Sequence, residues 1–190
     1  GHFVGYVCQR AWKDRVYGSI SSDGCRVFAV EDLSLGVSGY GRRAVVRGGR
    51  RIVNPLWPRS YNRLAAYDAR GGKLLWHLGG SSDEFNLDLS GAFFLGAPLP
   101  VGRQLYQLTD VLGEIRLYCL NPETGKAKWS QRIAMTDQGI VQSPTRRWSS
   151  LSPSCGSGIV VCPTAAGAIV AVEPGSPSLL WGYRYARNAS

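Results

Sequence analysis

Residues 64–76 read LAAYDARGGKLLW, a pattern typical of two short β-strands joined by a tight turn. Apolar residues alternate before the turn, and the second strand ends in a tryptophan. The Asp68 side chain can accept hydrogen bonds from the turn's own backbone, and Gly72 can adopt the positive φ that closes a hairpin with a bulge. Single hairpins of this kind occur in many folds, so the architecture depends on whether the pattern recurs.

The pattern recurs twice, as LYCLNPETGKAKW (117–129) and IVAVEPGSPSLLW (169–181). Successive tryptophans lie about 50 residues apart, and a fixed period of this length predicts a repeat array such as a β-propeller. In the third copy Pro177 and Ser178 replace the Gly-Lys pair, so its turn differs from the other two. The repeated positions, which we expect to be structural, are Asp68, Gly72, Trp76, Asn121, Gly125, Trp129 and Trp181.

A further pair of candidate strands precedes each copy, which makes four strands in every unit. No long stretch has the apolar period and N-cap of a helix, and even RRWSSLSPSC (146–155) is predicted to contain a strand. The sequence therefore predicts an all-β protein, a partial β-propeller of about three four-stranded antiparallel blades. The predicted divisions are a strand or connection from a preceding blade at 1–14 and three blades at 15–80, 81–134 and 135–190.

The first blade carries a Gly-, Arg- and Ser-rich insertion at 33–61, which we expect to be a mobile loop anchored by NPLWP (54–58). Five of the 22 basic residues of the chain, whose formal net charge is +9, lie within a ten-residue stretch of this insertion. These candidate anion contacts are Arg42, Arg43, Arg47, Arg50 and Arg51. We favour the alternative that these arginines are solvent-exposed on the insertion and that their charge has no specific binding role.

The local concentration of charge disfavours a general nucleic-acid surface, because most of the chain lacks a strong basic excess. Tyr40 and Trp57 near the arginines could nevertheless stack on bases. A glycan or an anionic lipid surface fits the same arginines equally well, so the sequence leaves the nature of the anion open.

The acidic segment SSDEFNLD (81–88) places Asp83, Glu84 and Asp88 close together, and carboxylate oxygens are ligands that Ca²⁺ prefers. Their spacing matches no established calcium loop, so a solvated connection between blades is favoured and no metal is expected. His2 and His77 are the two histidines of the chain. A Cys/His zinc site and a Ser-His-Asp triad are therefore disfavoured.

The five cysteines include no adjacent pair and no C-x-x-C motif, so we favour buried free thiols. A bridge between Cys155 and Cys162 is the alternative. No apolar stretch is long enough for a transmembrane helix. Because the chain starts at Gly1 without a methionine, we expect it to be a fragment of a longer protein.

The motif A-x-D-x-x-x-G-K-x-x-W at 66–76 resembles the tryptophan-docking repeat of quinoprotein-like β-propellers, the pyrroloquinoline quinone (PQQ) repeat family. A second copy at 119–129 matches with Cys119 and Asn121 in place of Ala and Asp, and the resemblance covers about 15–185. In that family the tryptophan packs between neighbouring blades of a ring that usually has eight. The resemblance therefore implies that this chain is an arc of a larger ring, with the remaining blades as its partners.

The family includes dehydrogenases, which oxidise alcohols or sugars with PQQ and calcium, and non-catalytic scaffolds, one of which assists outer-membrane protein assembly. In the dehydrogenases a disulfide between adjacent cysteines lies against the quinone, and this chain has no adjacent cysteines. We therefore expect a non-catalytic scaffold for a protein or glycan partner in the periplasm or cell envelope, with no cofactor in this segment. The alternative is part of a PQQ-dependent dehydrogenase whose site lies largely outside the segment.

Overall fold

The computed structural model describes residues 16, 19–31, 44–47, 50–53, 60–81 and 88–185. The described residues form three antiparallel sheets and a separate two-stranded hairpin. The first and third sheets have four strands. In the second sheet, two short strands share the position beside one neighbour, so that it has four strand positions and five strands. The predicted all-β partial propeller of about three blades is confirmed. The exact division at 15–80, 81–134 and 135–190 stays a prediction, and 1–14 lies outside the described residues.

The first sheet has the strand order β1-β2-β5-β6. Its strands are β1 (Ile20–Ser22), β2 (Arg26–Glu31), β5 (Arg63–Asp68) and β6 (Leu74–Gly79). Between β2 and β5, the strands β3 (Ala44–Arg47) and β4 (Arg50–Val53) pair as a two-stranded hairpin. The expectation of a loop over 33–61 was wrong for these two segments, because the β-branched residues in each, two valines in β3 and an isoleucine and a valine in β4, favour strand pairing. The NPLWP anchor lies outside the described residues.

The second and third sheets follow in chain order. The second contains β7 (Phe93–Phe94), β8 (Leu99–Val101), β9 (Gln104–Val111), β10 (Glu114–Leu120) and β11 (Ala127–Met135). The third contains β12 (Ser154–Gly156), β13 (Ile159–Pro163), β14 (Ala168–Val172) and β15 (Leu179–Arg184). In the third sheet the strands pair in chain order, and in the second β9, β10 and β11 do so while β7 and β8 both pair with β9.

A short helix, α1 (Pro144–Trp148), lies between the second and third sheets and follows a 3-10 turn at Ile140–Gln142. The predicted strand at 146–155 is therefore wrong at its start, and only Ser154–Gly156 is extended. Proline at the first helical position favours this helix, because its fixed φ suits the first turn and its missing N–H needs no partner there. Two long-range contacts of the α1 arginines, described below, also hold it in place.

Two apolar cores separate the three sheets. Phe28 and Leu64 of the first sheet meet Leu105 of the second in one core. On the other side of the second sheet, Tyr106 and Leu117 meet the third sheet in the other core. Strand β9 is thus buried on both faces and β10 contributes to both cores, which is the arrangement expected of a blade between two neighbours.

The first two repeated turns share their backbone hydrogen bonds, since the N–H groups of Asp68 and Asn121 each donate to the carbonyl five residues later at 2.8 Å. In each turn the first side chain also accepts a hydrogen bond from a nearby backbone N–H, although from a different position. The Asp68 carboxylate accepts from the Gly71 N–H at 2.6 Å, and the Asn121 side-chain oxygen accepts from the Glu123 N–H at 2.8 Å. Gly72 and Gly125 have φ of +66° and +75°, and a register shift follows in each hairpin. The local chemistry of Asp or Asn followed by Gly therefore produces the same bulged turn twice.

The first repeated tryptophan reaches across to the second sheet. Trp76 lies 6.0 Å from Phe28 between ring centroids, and its Nε1 donates a hydrogen bond of 3.0 Å to the Pro122 carbonyl. A Cβ on Gly125 would lie only 2.9 Å from Trp76 Cε3, so glycine permits the close approach. The indole of one sheet is thus seated on the turn of the next.

The other two tryptophans differ in their surroundings. Trp129 lies 6.0 Å from Tyr106 between ring centroids and packs against the core shared with the third sheet. Trp181 is 47% exposed on β15, and no sheet lies beyond that strand in the described part of the chain. The exposure of Trp181 follows from its place on the last described strand.

The four described cysteines are free: Cys119 and Cys162 are buried, and Cys25 and Cys155 are exposed. Burial raises the pKa of Cys119, and it raises the pKa of Cys162 to about 12, because the thiolate is disfavoured away from water. Cys155 lies opposite Val160 in its hairpin and forms no bridge to Cys162. The favoured interpretation of free thiols therefore holds for these residues, although only two of them are buried.

We expect Gly125→Ala to lower the free energy of unfolding by about 1–3 kcal/mol more than Gly72→Ala does. Both substitutions place a methyl group at a positive φ, but the new Cβ meets the indole only at Gly125 and meets nothing within 4 Å at Gly72. Urea denaturation of the two variants measures the difference. Equal losses would contradict a docking role for Trp76.

We expect iodoacetamide at about pH 8 to modify Cys25 and Cys155 in the folded chain, and Cys119 and Cys162 only after unfolding in urea. The two buried thiols are both inaccessible and held protonated by their raised pKa values. Mass spectrometry of the digested protein assigns each adduct. Rapid native labelling of Cys162 would be inconsistent with its burial between strands.

Candidate functional site

The connections between strands alternate between the two ends of the sheets, because all strand pairing is antiparallel. One end carries the short repeated turns. The other end, which we call the loop face, carries the long connections 32–62, 80–92 and 136–153 together with the short turns 112–113 and 164–167. Binding residues occur disproportionately on such loops when a rigid scaffold positions them, so the loop face is the candidate functional surface.

A buried asparagine joins the first two sheets at this face. Asn62 is fully buried; its Oδ1 accepts from the Phe94 N–H at 2.7 Å and its Nδ2 donates to the Phe94 carbonyl at 3.0 Å. Its own carbonyl accepts from Gly80 N–H at 3.0 Å. Gly79 lies so close that a Cβ there would be 2.6 Å from the Phe94 ring. The end of the insertion is therefore fixed to the segment that enters the second sheet.

A buried ion pair joins the second sheet to α1. Arg146 Nε lies 2.8 Å from Asp110 Oδ2, and both side chains are almost completely buried. Asp110 Oδ1 accepts from the Gly113 N–H at 2.9 Å, and the Arg146 guanidinium also donates to the Gln138 carbonyl. Charged groups that are paired and bonded in this way are tolerated in an interior. The pair holds the β9–β10 turn, residue 138 and α1 in one arrangement.

The rest of the 136–153 segment is held just as closely. The Arg147 guanidinium carbon lies 4.7 Å from the centre of the Phe93 ring, a cation–π contact. The Leu151 N–H donates to the Leu95 carbonyl at 2.8 Å, and a Cβ on Gly96 would lie 2.7 Å from the Leu151 carbonyl oxygen. This part of the loop face is accordingly a packed surface rather than a loose loop.

Three apolar side chains protrude from this packed surface, and we call them the apolar patch: Leu112, Met135 and Trp148. Leu112, at the tip of the β9–β10 turn, is 92% exposed and has a φ of +54°. Met135, at the end of β11, is 71% exposed, and Trp148, at the end of α1, is 40% exposed. These residues were not singled out from the sequence, because no local pattern distinguishes an exposed apolar residue from a core one.

Most of the sequence-predicted metal candidates lie beyond what the structure describes. Asp83 and Glu84 are outside the described residues, and Asp88 is exposed, with its carbonyl accepting from the Gly79 N–H at 3.0 Å. Within the described ranges no group of three or more His, Cys, Asp and Glu could hold a metal ion. The expectation that these three acidic residues hold no metal stays a prediction.

The candidate anion contacts are placed only in part. Arg42 and Arg43 lie outside the described residues. Arg47 and Arg50 are paired partners at the β3–β4 turn, and Arg51 pairs with Val46. Along the chain, the hairpin lies between Glu31 of β2 and Arg63 of β5. Anion contact by these arginines stays a prediction.

No helix among the described residues is long and apolar enough to cross a membrane.

We expect Arg146→Met to lower the free energy of unfolding by about 3–5 kcal/mol, because it leaves Asp110 buried without its counterion. Arg132→Met, on the exposed side of β11, is the matched control and should change stability by less than about 0.5 kcal/mol. The double variant Asp110→Asn/Arg146→Met should lose less than the sum of the single losses. Strict additivity in urea denaturation would mean that the two side chains are not coupled.

The chain was compared with known proteins at the levels of sequence and structure. A family model described as outer membrane protein assembly factor BamB matches residues 9–190. No curated protein matches the chain. Similar solved structures include BamB from Moraxella catarrhalis, with 20% identity and a TM-score of 0.44 over 66% of this chain and 33% of that one.

Two further solved structures represent other kinds of protein. The quinohemoprotein alcohol dehydrogenase ADHIIG from Pseudomonas putida HK5 has 16% identity and a TM-score of 0.43 over 65% of this chain and 25% of that one. The computationally designed Ika8 protein has 10% identity and a TM-score of 0.46, with 88% and 36% covered. This chain thus spans about a third of the length of the BamB structure. Because the family match extends over residues 9–190, the chain belongs to the PQQ-repeat β-propeller family of the outer membrane protein assembly factor BamB.

Proposed function

We propose that this chain is a non-catalytic arc of a PQQ-repeat propeller that acts as a rigid platform for a protein or glycan partner in the bacterial envelope. The description of its family as an outer membrane protein assembly factor supports both a protein partner and this location. The observation that carries the proposal is the way in which the loop face uses its buried polar groups.

Those buried groups are bonded within the fold. Asp110 is engaged by Arg146 and by the Gly113 N–H, and Asn62 is engaged by both backbone groups of Phe94. A general acid, a base or a nucleophile must instead reach a substrate atom at hydrogen-bond distance. The polar residues at this face therefore stabilise the position of loops, which is what a binding platform requires.

The proposed partners include the remaining blades of the same propeller. Leu179, Leu180, Trp181 and Tyr183 on β15 are all 47–65% exposed. Trp76, at the equivalent position of the first sheet, is covered by the turn that contains Pro122 and Gly125. A further blade would cover Trp181 in the same manner and remove this apolar surface from water.

The alternative is that this chain forms part of a PQQ-dependent alcohol or sugar dehydrogenase. The carboxylates of PQQ require cations or N–H donors, and Arg146, the most deeply buried cation of the described part, is already bonded to Asp110 and Gln138. The buried atoms left without partners include Gln107 Oε1 and Thr109 Oγ1, which supply no charge. That this buried cation is already engaged within the fold supports the scaffold proposal over the dehydrogenase alternative.

We expect the complete protein, supplied with PQQ and calcium, to show no quinone-dependent dye reduction with alcohols or aldoses. The matched positive control is a quinohemoprotein alcohol dehydrogenase loaded and assayed in the same way. Binding of PQQ is measured separately by equilibrium dialysis. Tight quinone binding accompanied by turnover would overturn the scaffold proposal in favour of the dehydrogenase.

A further inference from the structure

We propose that the two end sheets of this arc bind each other between copies of the chain, so that Trp181 of one copy packs on the Asp68–Gly72 turn of the next. The inference rests on the proposed stacking of blades and adds to it a named occupant, a second copy of this chain. It is carried by an exposed tryptophan at one end of the arc and an exposed glycine turn at the other.

The contact between the first two sheets shows what such a tryptophan requires. The Trp76 indole donates from Nε1 to the Pro122 carbonyl at 3.0 Å, and Gly125 leaves room for its ring. Pro122 and Gly125 are both buried, although turns of this kind ordinarily lie exposed at the surface. The indole therefore covers the second repeated turn through apolar packing and one directed hydrogen bond.

The first repeated turn has the same backbone geometry but is exposed. Ala69 and Gly72 occupy the positions of Pro122 and Gly125, and both are exposed to solvent. Gly72 has a φ of +66°, close to the +75° of Gly125, and in the described part of the chain nothing lies within 4 Å of a Cβ built on it. This turn therefore offers the carbonyl and the glycine that an indole requires.

Trp181 is the exposed tryptophan at the other end of the arc. Val170 and Val172 of β14 lie in the core shared with the second sheet. Because side chains alternate along a strand, Ala171 and its cross-strand partner Trp181 point to the opposite face, away from the second sheet. Tyr183 lies two residues further along β15 on that same face and is 65% exposed. The indole thus points to where a next sheet would stack.

The first sheet also exposes apolar surface on the side that faces away from the second. Phe28 lies in the core shared with the second sheet, so the next residue, Ala29, and its partner Ile20 point the other way. Ile20 is 68% exposed. Association of the two ends would remove this side chain, together with Trp181 and Tyr183, from water.

The two ends match each other rather than themselves. A symmetric contact would place one Trp181 on another, whereas the contact seen inside the molecule joins a tryptophan to a glycine turn. Each copy carries the tryptophan at one end and the turn at the other. The association is therefore head-to-tail, and it continues the stack that the first two sheets already make.

The test measures the mass of the chain of residues 1–190 in solution by sedimentation equilibrium. The monomer mass is 20.7 kDa. Between about 5 and 200 µM we expect the average mass to rise with concentration to at least about twice that value, because mass action favours the associated state.

Two variants remove one end each. Trp181→Ser deletes the indole, and Gly72→Asn places a side chain where the indole would lie while tolerating the left-handed conformation. Each should weaken association at least about tenfold. The matched controls are Trp148→Ser, at a 40% exposed tryptophan of α1, and Gly102→Asn, at a φ of +57° in the second sheet. Both controls should associate as the parent chain does.

Mixing the two variants tests the head-to-tail arrangement directly. The Gly72→Asn chain keeps Trp181, and the Trp181→Ser chain keeps the Gly72 turn, so the mixture retains one complete contact. We expect each variant alone to be monomeric and an equimolar mixture to form dimers that grow no further. Urea unfolding at low protein concentration checks that both variants are folded.

Three results would overturn the inference: a parent chain that stays monomeric at about 200 µM, a Gly72→Asn chain that associates as strongly as the parent, or a mixture that stays monomeric. Any of them leaves the scaffold proposal intact if no PQQ-dependent turnover is found. Dehydrogenase activity in the quinone assay would instead remove the scaffold proposal whatever the sedimentation shows.

Discussion

The contact between the Trp76 indole and the next sheet's turn is the interaction on which this architecture depends. It combines apolar contact with Gly125 and a hydrogen bond from Nε1 to the Pro122 carbonyl. Burial of an indole between sheets stabilises their packing, and the directed hydrogen bond sets where one sheet meets the other. Only glycine at position 125 lets the ring approach the backbone so closely. A hairpin that is marginal alone thereby becomes part of a stack.

A second constraint operates at the opposite end of the sheets. The longest connections of the chain lie at this end, and buried polar side chains rather than repeated turns fix their position. Asn62 bonds to both backbone groups of Phe94, and Asp110 with Arg146 holds α1 against the β9–β10 turn. A satisfied polar network in a low-dielectric interior is rigid because breaking any bond exposes an unpaired group. The resulting surface is rigid and carries exposed apolar residues.

Sequence reasoning identified the turns, the four-stranded units and the repeat, since each depends on neighbouring residues. It missed α1, because RRWSSLSPSC has no helical period and Pro144 with the contacts of Arg146 and Arg147 decides its conformation. It also treated the arginine-rich insertion as a loop, where the structure pairs Ala44–Arg47 with Arg50–Val53. Asn62 and Asp110 were not identified from the sequence, because their hydrogen-bond partners lie 32 and 36 residues away along the chain.

The sequence by itself determined the local elements: the bulged turns at Asp68 and Asn121, and a tryptophan returning once per blade. These follow from backbone preferences and side-chain bonds within a few residues. Only the tertiary structure decided which tryptophan is covered, which arginine is buried and which leucine protrudes. The sequence contexts of Trp76, Trp129 and Trp181 are similar. Trp76 nevertheless packs against the turn of the next sheet, whereas Trp181 is exposed. Burial is a property of what the next sheet places nearby, and no local pattern encodes it.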